Sequence, residues 1–184
     1  MPLPYLRSAV PLVLVIAGIV IGRLAFAWMR YRERRMVSCP ENLRPAGVQV
    51  DAVHAAATGL LDTPQLRLSE CSRWPERAEC GQECLAQIEA APKNCGVRSI
   101  LADWYAGKVC ASCGRPFGEV KWNAVKPALR TADKVTVEWE QVAVAALPET
   151  LKTALPVCFA CHMASTLVRE HPELAIDRLG RTSG

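Results

Sequence analysis

Apolar residues crowd one end of this chain and are scattered thinly through the rest. From Ala9 to Gly22 the run AVPLVLVIAGIVIG carries no charge, Arg23 interrupts it, and LAFAWM continues it to Met29. Fourteen uncharged residues fall short of the roughly 20 that cross a bilayer as a helix, but the 21 residues from 9 to 29 suffice. Arg23, near one end, can snorkel its stem to the headgroups, and Trp28 and Tyr31 sit where interfacial aromatics gather. Beyond residue 37 the periodic segments are short. SCPENLRPAG (38–47) is turn-rich, and Val48 and Val50 alternate with Gln49 as in a strand. DAVHAAATGLL reads as a helix stopping at Gly59, and LRLSECSRW (66–74) as a strand. PERAECGQECLAQIEAA (75–91) predicts the clearest helix outside the apolar run, opened by Pro75 and ended by Pro92. A second runs from Val97 to Tyr105 and stops by Gly107. FGEVKW (117–122) and KVTVEWEQV (134–142) predict strands joined through Pro127 and Asp133. PETLKTAL (148–155) and residues 159–170 predict helices, the tail LGRTSG is expected to fray, and no internal repeat is visible.

Charge adds an orientation. Lys and Arg number 22 against 18 Asp and Glu, and five of the arginines (Arg23, Arg30, Arg32, Arg34, Arg35) fall within thirteen positions. The remainder is close to neutral, so no nucleic-acid groove is implied. An arginine-rich flank stays in the cytoplasm, which puts the N-terminus outside and the chain from about residue 36 inside the cell membrane. A cleaved signal peptide competes, because AFA at Ala25–Ala27 fits a small-residue cleavage site. Against it, Arg7 is the sole basic side chain before the apolar run. Gly18-Ile-Val-Ile-Gly22 matches the G-x-x-x-G packing motif and offers a homodimer contact.

Nine cysteines are many for a cytosolic chain, and the odd number leaves one over in a pure disulfide framework. Cys110/Cys113 and Cys158/Cys161 are Cys-x-x-Cys pairs, a spacing that turns both sulfurs toward one tetrahedral ion. Gly114 can take the positive φ that a knuckle turn requires. The second pair opens the helix at 159–170, where the dipole and unpaired N–H groups favour thiolates. Turn with two cysteines, strands, then a helix carrying two more resembles the treble-clef and zinc-ribbon-like class of four-cysteine metal-binding domains over about residues 108–171. That resemblance implies a metal-site architecture, not an activity. The same four cysteines suit an iron–sulfur cluster. Cys158-x-x-Cys161-His162 also spells c-type haem attachment, with His162 as proximal ligand and His171, His54 or a methionine on the other side. Haem c matures outside the cytoplasm, which the arginine cluster opposes, and it leaves Cys110 and Cys113 unused.

Upstream, Cys80 and Cys84 are four apart on the expected helix and so share a face, with Cys71 just before it and Cys95 just after. In a reducing compartment these four read as a second four-cysteine metal site, and in an exported chain as two disulfides. The alternative for some of them is simple core packing. Cys39 is left over, free or standing in for a member of either set. Trp74, Trp104 and Trp122 are expected in the core. No phosphate loop, Ser-His-Asp order or His-x-x-x-His pair is present, and three histidines do not suit a hydrolytic zinc centre.

The sequence thus predicts an α+β protein: one N-terminal transmembrane helix, then a small cysteine-rich treble-clef/zinc-ribbon-like domain with an additional helical cysteine cluster. The segments are 1–8, the membrane helix 9–29, a basic juxtamembrane stub 30–37, a cysteine-containing helical part 38–107, a zinc-ribbon-like part 108–174 and a tail 175–184. The function expected is non-enzymatic: structural zinc in a membrane-anchored domain that contacts a protein partner, as a subunit of a larger membrane assembly. The alternative is electron transfer through an iron–sulfur cluster or haem.

Overall fold

The computed structural model describes residues 5–60, 62–74, 76–77, 79–122 and 126–174, with side chains from residue 10 to 173. It divides into two compact units between Val97 and Arg98. Pro75 and the tail 175–184 lie outside the described residues.

The first unit begins with α1 (Tyr5–Tyr31), 27 residues, about 40 Å long at 1.5 Å per residue. Its stretch Val10–Tyr31 is long and apolar enough to cross a membrane, with a mean hydropathy of 2.4. Three antiparallel strands follow, β1 (Arg35–Ser38), β2 (Pro45–Val50) and β3 (Leu68–Cys71), in spatial order β1-β2-β3. The inward residues alternate at Val37, Ala46, Val48 and Val50, the period of two expected of a half-buried strand. Between β2 and β3, α2 (Ala52–Thr58) is capped by Asp51, whose carboxylate accepts the His54 N–H at 2.9 Å and pairs with Arg67 at 2.7 Å. Ala52 and Ala55 let α2 lie close against α1. A short helix, α3 (Leu85–Ala90), seals the core with Ile88.

Within residues 30–37, expected as a basic stub, Tyr31, Arg35 and Val37 are buried in this core while Arg30, Arg32 and Arg34 are exposed. Arg30 and Tyr31 complete α1, Tyr31 is buried with Val37 and Val48, and Arg35 opens β1 with only 3% of its surface exposed. The Arg35 guanidinium donates to the carbonyls of Arg30 (2.6 Å) and Pro92. The apolar helix therefore enters the unit without a loose tether. The helix expected over 75–91 shrinks to Leu85–Ala90. Gln82 takes φ +56°, which no helix accommodates, and its side-chain oxygen accepts the Leu68 N–H at 2.8 Å. A tertiary hydrogen bond to β3 thus overrides local helix propensity.

The second unit contains most of α4 (Val97–Tyr105), then β4 (Ala128–Arg130), β5 (Thr136–Glu138), α5 (Leu147–Thr153), β6 (Leu155–Val157) and α6 (Phe159–Glu170). Its sheet has the antiparallel order β5-β4-β6. Tyr105 is fully buried, donates its O–H to the Ala128 carbonyl at 2.8 Å and meets Phe117 with ring centres 4.9 Å apart. Trp104 and Trp122 are half-buried, the former donating its N–H to Leu151 O at 3.0 Å. FGEVKW forms no strand; the central strand is Ala128–Arg130, in the stretch expected to be a connection. Three residues are too few to show a period, yet Ala128 and Leu129 are completely buried and pair on both sides.

Candidate metal centre

The two Cys-x-x-Cys pairs, 48 positions apart in sequence, meet in the second unit. The sulfurs of Cys110, Cys113, Cys158 and Cys161 all lie within 4.8 Å of one another. Each pair is held by a different device. Cys110–Gly114 is a tight knuckle: the Gly114 N–H donates to Cys110 O at 2.8 Å, and the Cys110 N–H to Arg115 O at 2.8 Å. Gly114 closes it at φ +71°, a left-handed conformation that costs other residues about 1–2 kcal/mol. A bridge between Val109 and Pro116 and the Ala111 N–H bond to Pro156 O (2.8 Å) dock the knuckle on β6. The second pair sits where β6 ends: Cys158 is the N-cap of α6 and Cys161 stands three residues on.

Electrostatics within the quartet are uneven. Burial would raise the Cys110 thiol, which is 1% exposed, but N–H groups of Cys158, Cys113 and Ser112 point at its sulfur and bring it down to about 6. The Cys158 N–H stands 3.3 Å from that sulfur. Cys161 is pushed up to about 12, chiefly by its hydrogen bond with Cys158, then by burial and by Cys113 and Cys110. Four thiols this close cannot all ionise without a cation among them. Such a set suits a thiophilic ion or an iron–sulfur centre, since it offers sulfur donors only. No disulfide joins any of the nine cysteines.

His162 is not among the converging donors. Its ring is buried, and Nδ1 lies 3.0 Å from Oγ1 of buried Thr136 on β5. His171 caps the far end of α6 beside Glu173 (3.2 Å), about 20 Å along the helix from Cys158 at 1.5 Å per residue.

Of the upstream cysteines, Cys71, Cys80 and Cys84 line one cavity of about 360 Å³ in the first unit. Cys95 does not line it; its buried thiol is directed at Gln87 O, 3.6 Å away. Cys39, the unassigned cysteine, lines the cavity in its place. Cys80 is not on a helix, so the shared-face expectation for Cys80 and Cys84 fails, although both still reach the same space. Comparison with protein families, curated proteins and solved structures finds no match to this chain.

Proposed function

We propose that this chain is a membrane-anchored, non-enzymatic protein whose second unit is folded around one zinc ion held by Cys110, Cys113, Cys158 and Cys161. The convergence of four sulfurs within 4.8 Å carries this reading. A knuckle followed by a helix N-terminus is the ligand arrangement of treble-clef and zinc-ribbon-like sites. Zinc with four thiolates has no open position, so it stabilises and does no chemistry. Small cores need such support, and ion binding then supplies folding energy directly. Haem c is disfavoured because it would take Cys158 and Cys161 alone, whereas both converge with Cys110 and Cys113 in one four-sulfur cluster.

The arginines after the apolar helix support a cytoplasmic domain. Arg35 counts toward this although it is buried in the fold, because topology is decided as the unfolded chain inserts. Phe159, Met163 and Leu167, spaced four apart on α6 and 39–50% exposed, support a protein partner on that face. A second reading, electron transfer through iron on the same sulfurs, draws on Cys113 being exposed, since a redox centre must approach its partner. Metal analysis with a visible spectrum of the purified protein separates the two. One zinc or more per chain and a featureless spectrum support the structural reading; broad absorption near about 400 nm supports iron–sulfur. A reporter fused to the C-terminus and active only outside the cytoplasm refutes the orientation.

A further inference from the structure

The first unit contains a second copy of the knuckle turn. Cys39-Pro-Glu-Asn42-Leu43-Arg44-Pro45 aligns without gaps on Cys110-Ala-Ser-Cys113-Gly114-Arg115-Pro116 and shares its cysteine, arginine and proline. The Leu43 N–H donates to Cys39 O at 2.8 Å, as Gly114 does to Cys110 O, and the Cys39 N–H to Arg44 O at 2.9 Å, as Cys110 does to Arg115 O. The residues flanking each turn pair across it, Ser38 with Pro45 and Val109 with Pro116. Leu43 closes its turn at φ +56°, the left-handed conformation held by Gly114 in the other copy. The sulfur environments agree too: N–H groups two and three residues on, Glu41 and Asn42, point at Cys39 as Ser112 and Cys113 point at Cys110. An exposed leucine (81%) in a conformation that costs L-residues about 1–2 kcal/mol is unexplained by packing.

Among the positions that differ, the one that matters for a metal is Asn42, which stands where the second knuckle thiol would be. The cavity beside the turn offers three thiols from other elements: Cys71 at the end of β3, buried Cys84 at the start of α3, and Cys80 in the loop before it. Gln82, at φ +56°, turns the chain between Cys80 and Cys84 so that both face that space. We propose that Cys39, Cys71, Cys80 and Cys84 form a second site for a single zinc-like cation, with Cys95 outside it. These four sulfurs are more widely spread than the first quartet. Cys39 is held instead by Arg73, whose Nη1 lies 3.1 Å from the sulfur and 3.4 Å from Glu41. An ion entering the cavity displaces that contact, draws in Cys39 and Cys80, and releases the protons of the thiols that become ligands. Four thiolates around a divalent cation carry a net charge of −2; the cavity lining holds Arg73 and Arg77, both paired with Glu41, together with Glu79 and Glu83.

The test uses the full chain in detergent, reduced, stripped of metal and titrated with Co2+ alone, with bound cobalt counted and its thiolate bands recorded. Wild type takes two ions. Cys39→Ser and Cys71→Ser take one, Cys113→Ser takes one, and Cys95→Ser keeps two. Because serine variants can lose the site by misfolding, Cys80→His is included: it keeps two ions, with half the spectrum shifted from four-sulfur to three-sulfur, one-nitrogen coordination. One ion per wild-type chain, two in Cys39→Ser, loss in Cys95→Ser, or an unshifted spectrum in Cys80→His each overturns the proposal. Failure of the first centre shows separately, as no loss on Cys113→Ser.

Discussion

Replacing Gly114 by alanine isolates the conformational demand of the knuckle. A Cβ at this position meets no heavy atom within 4 Å, so sterics add nothing to the cost. What remains is the left-handed backbone at φ +71°, worth about 1–2 kcal/mol for a residue with a Cβ. For a unit of 60–100 residues each kcal/mol moves the melting temperature by about 4–8 °C. Thermal unfolding of the zinc-loaded chain in detergent, followed by tryptophan fluorescence, is therefore expected to drop by about 4–16 °C. Gly114→Asn should recover part of that, since asparagine tolerates this conformation. Gly118→Ala supplies the control: its Cβ also finds open space, and its φ is not positive, so it should be neutral or slightly stabilising. If Gly114→Ala melts with the control, the knuckle geometry on which the centre rests is wrong.

Four other outcomes follow from the structure. Leu43→Gly, in the matching turn, should raise the unfolding midpoint by relieving the positive φ, as read in the same melting assay. Gly59→Ala should destabilise the first unit for the opposite reason, sterics, because its Cβ would stand 2.9 Å from both Ala55 O and Pro64 Cγ; urea unfolding against wild type checks it. In metal-free protein, Cys110 is ionised in the fold down to about pH 6, whereas an unfolded thiol keeps its proton to about pH 8.5. The folded state then binds fewer protons in that window, so stability rises with pH from about 6 to 8.5 and is lost as pH falls through 6. Cys161, shifted upward, matters only above that window and in the opposite sense; melting curves of wild type and Cys110→Ser across pH should diverge accordingly. Gly18→Ile, on an α1 face where nothing lies within 4 Å, should abolish any dimer seen by crosslinking in detergent if helices associate there.

The membrane-type helix and the pairing of the two Cys-x-x-Cys turns were legible because both are strong local patterns. An uncharged run needs no tertiary context, and a two-residue spacing fixes where two sulfurs point. The helices Val97–Tyr105 and Phe159–Glu170 were legible for the same reason, each bounded by its own stop signal. Thr136–Glu138 falls within the strand expected over 134–142, but the other two strands of the second sheet were not legible, because Ala128–Arg130 and Leu155–Val157 are three residues each and owe their existence to pairing. Residues 75–84 misled because glutamate, alanine and glutamine favour a helix that the Gln82 contact to Leu68 forbids. The burial of Arg35 was hidden as well, since an arginine beside an apolar run reads as a topology signal before it reads as a core residue. The second knuckle escaped because Asn42 and Leu43 replace the cysteine and glycine that advertise the first, leaving Cys-x-x-x-x-Arg-Pro as the shared trace.

The central claim is that sulfur alone holds the ion in the second unit. X-ray absorption at the zinc edge of the loaded Cys71→Ser variant, in which the first unit's cavity lacks a ligand, reads that shell directly. Four sulfur scatterers at about 2.3 Å and no imidazole pattern are the predicted result. A shell containing nitrogen or oxygen, or a variant that retains no zinc at all, would contradict it.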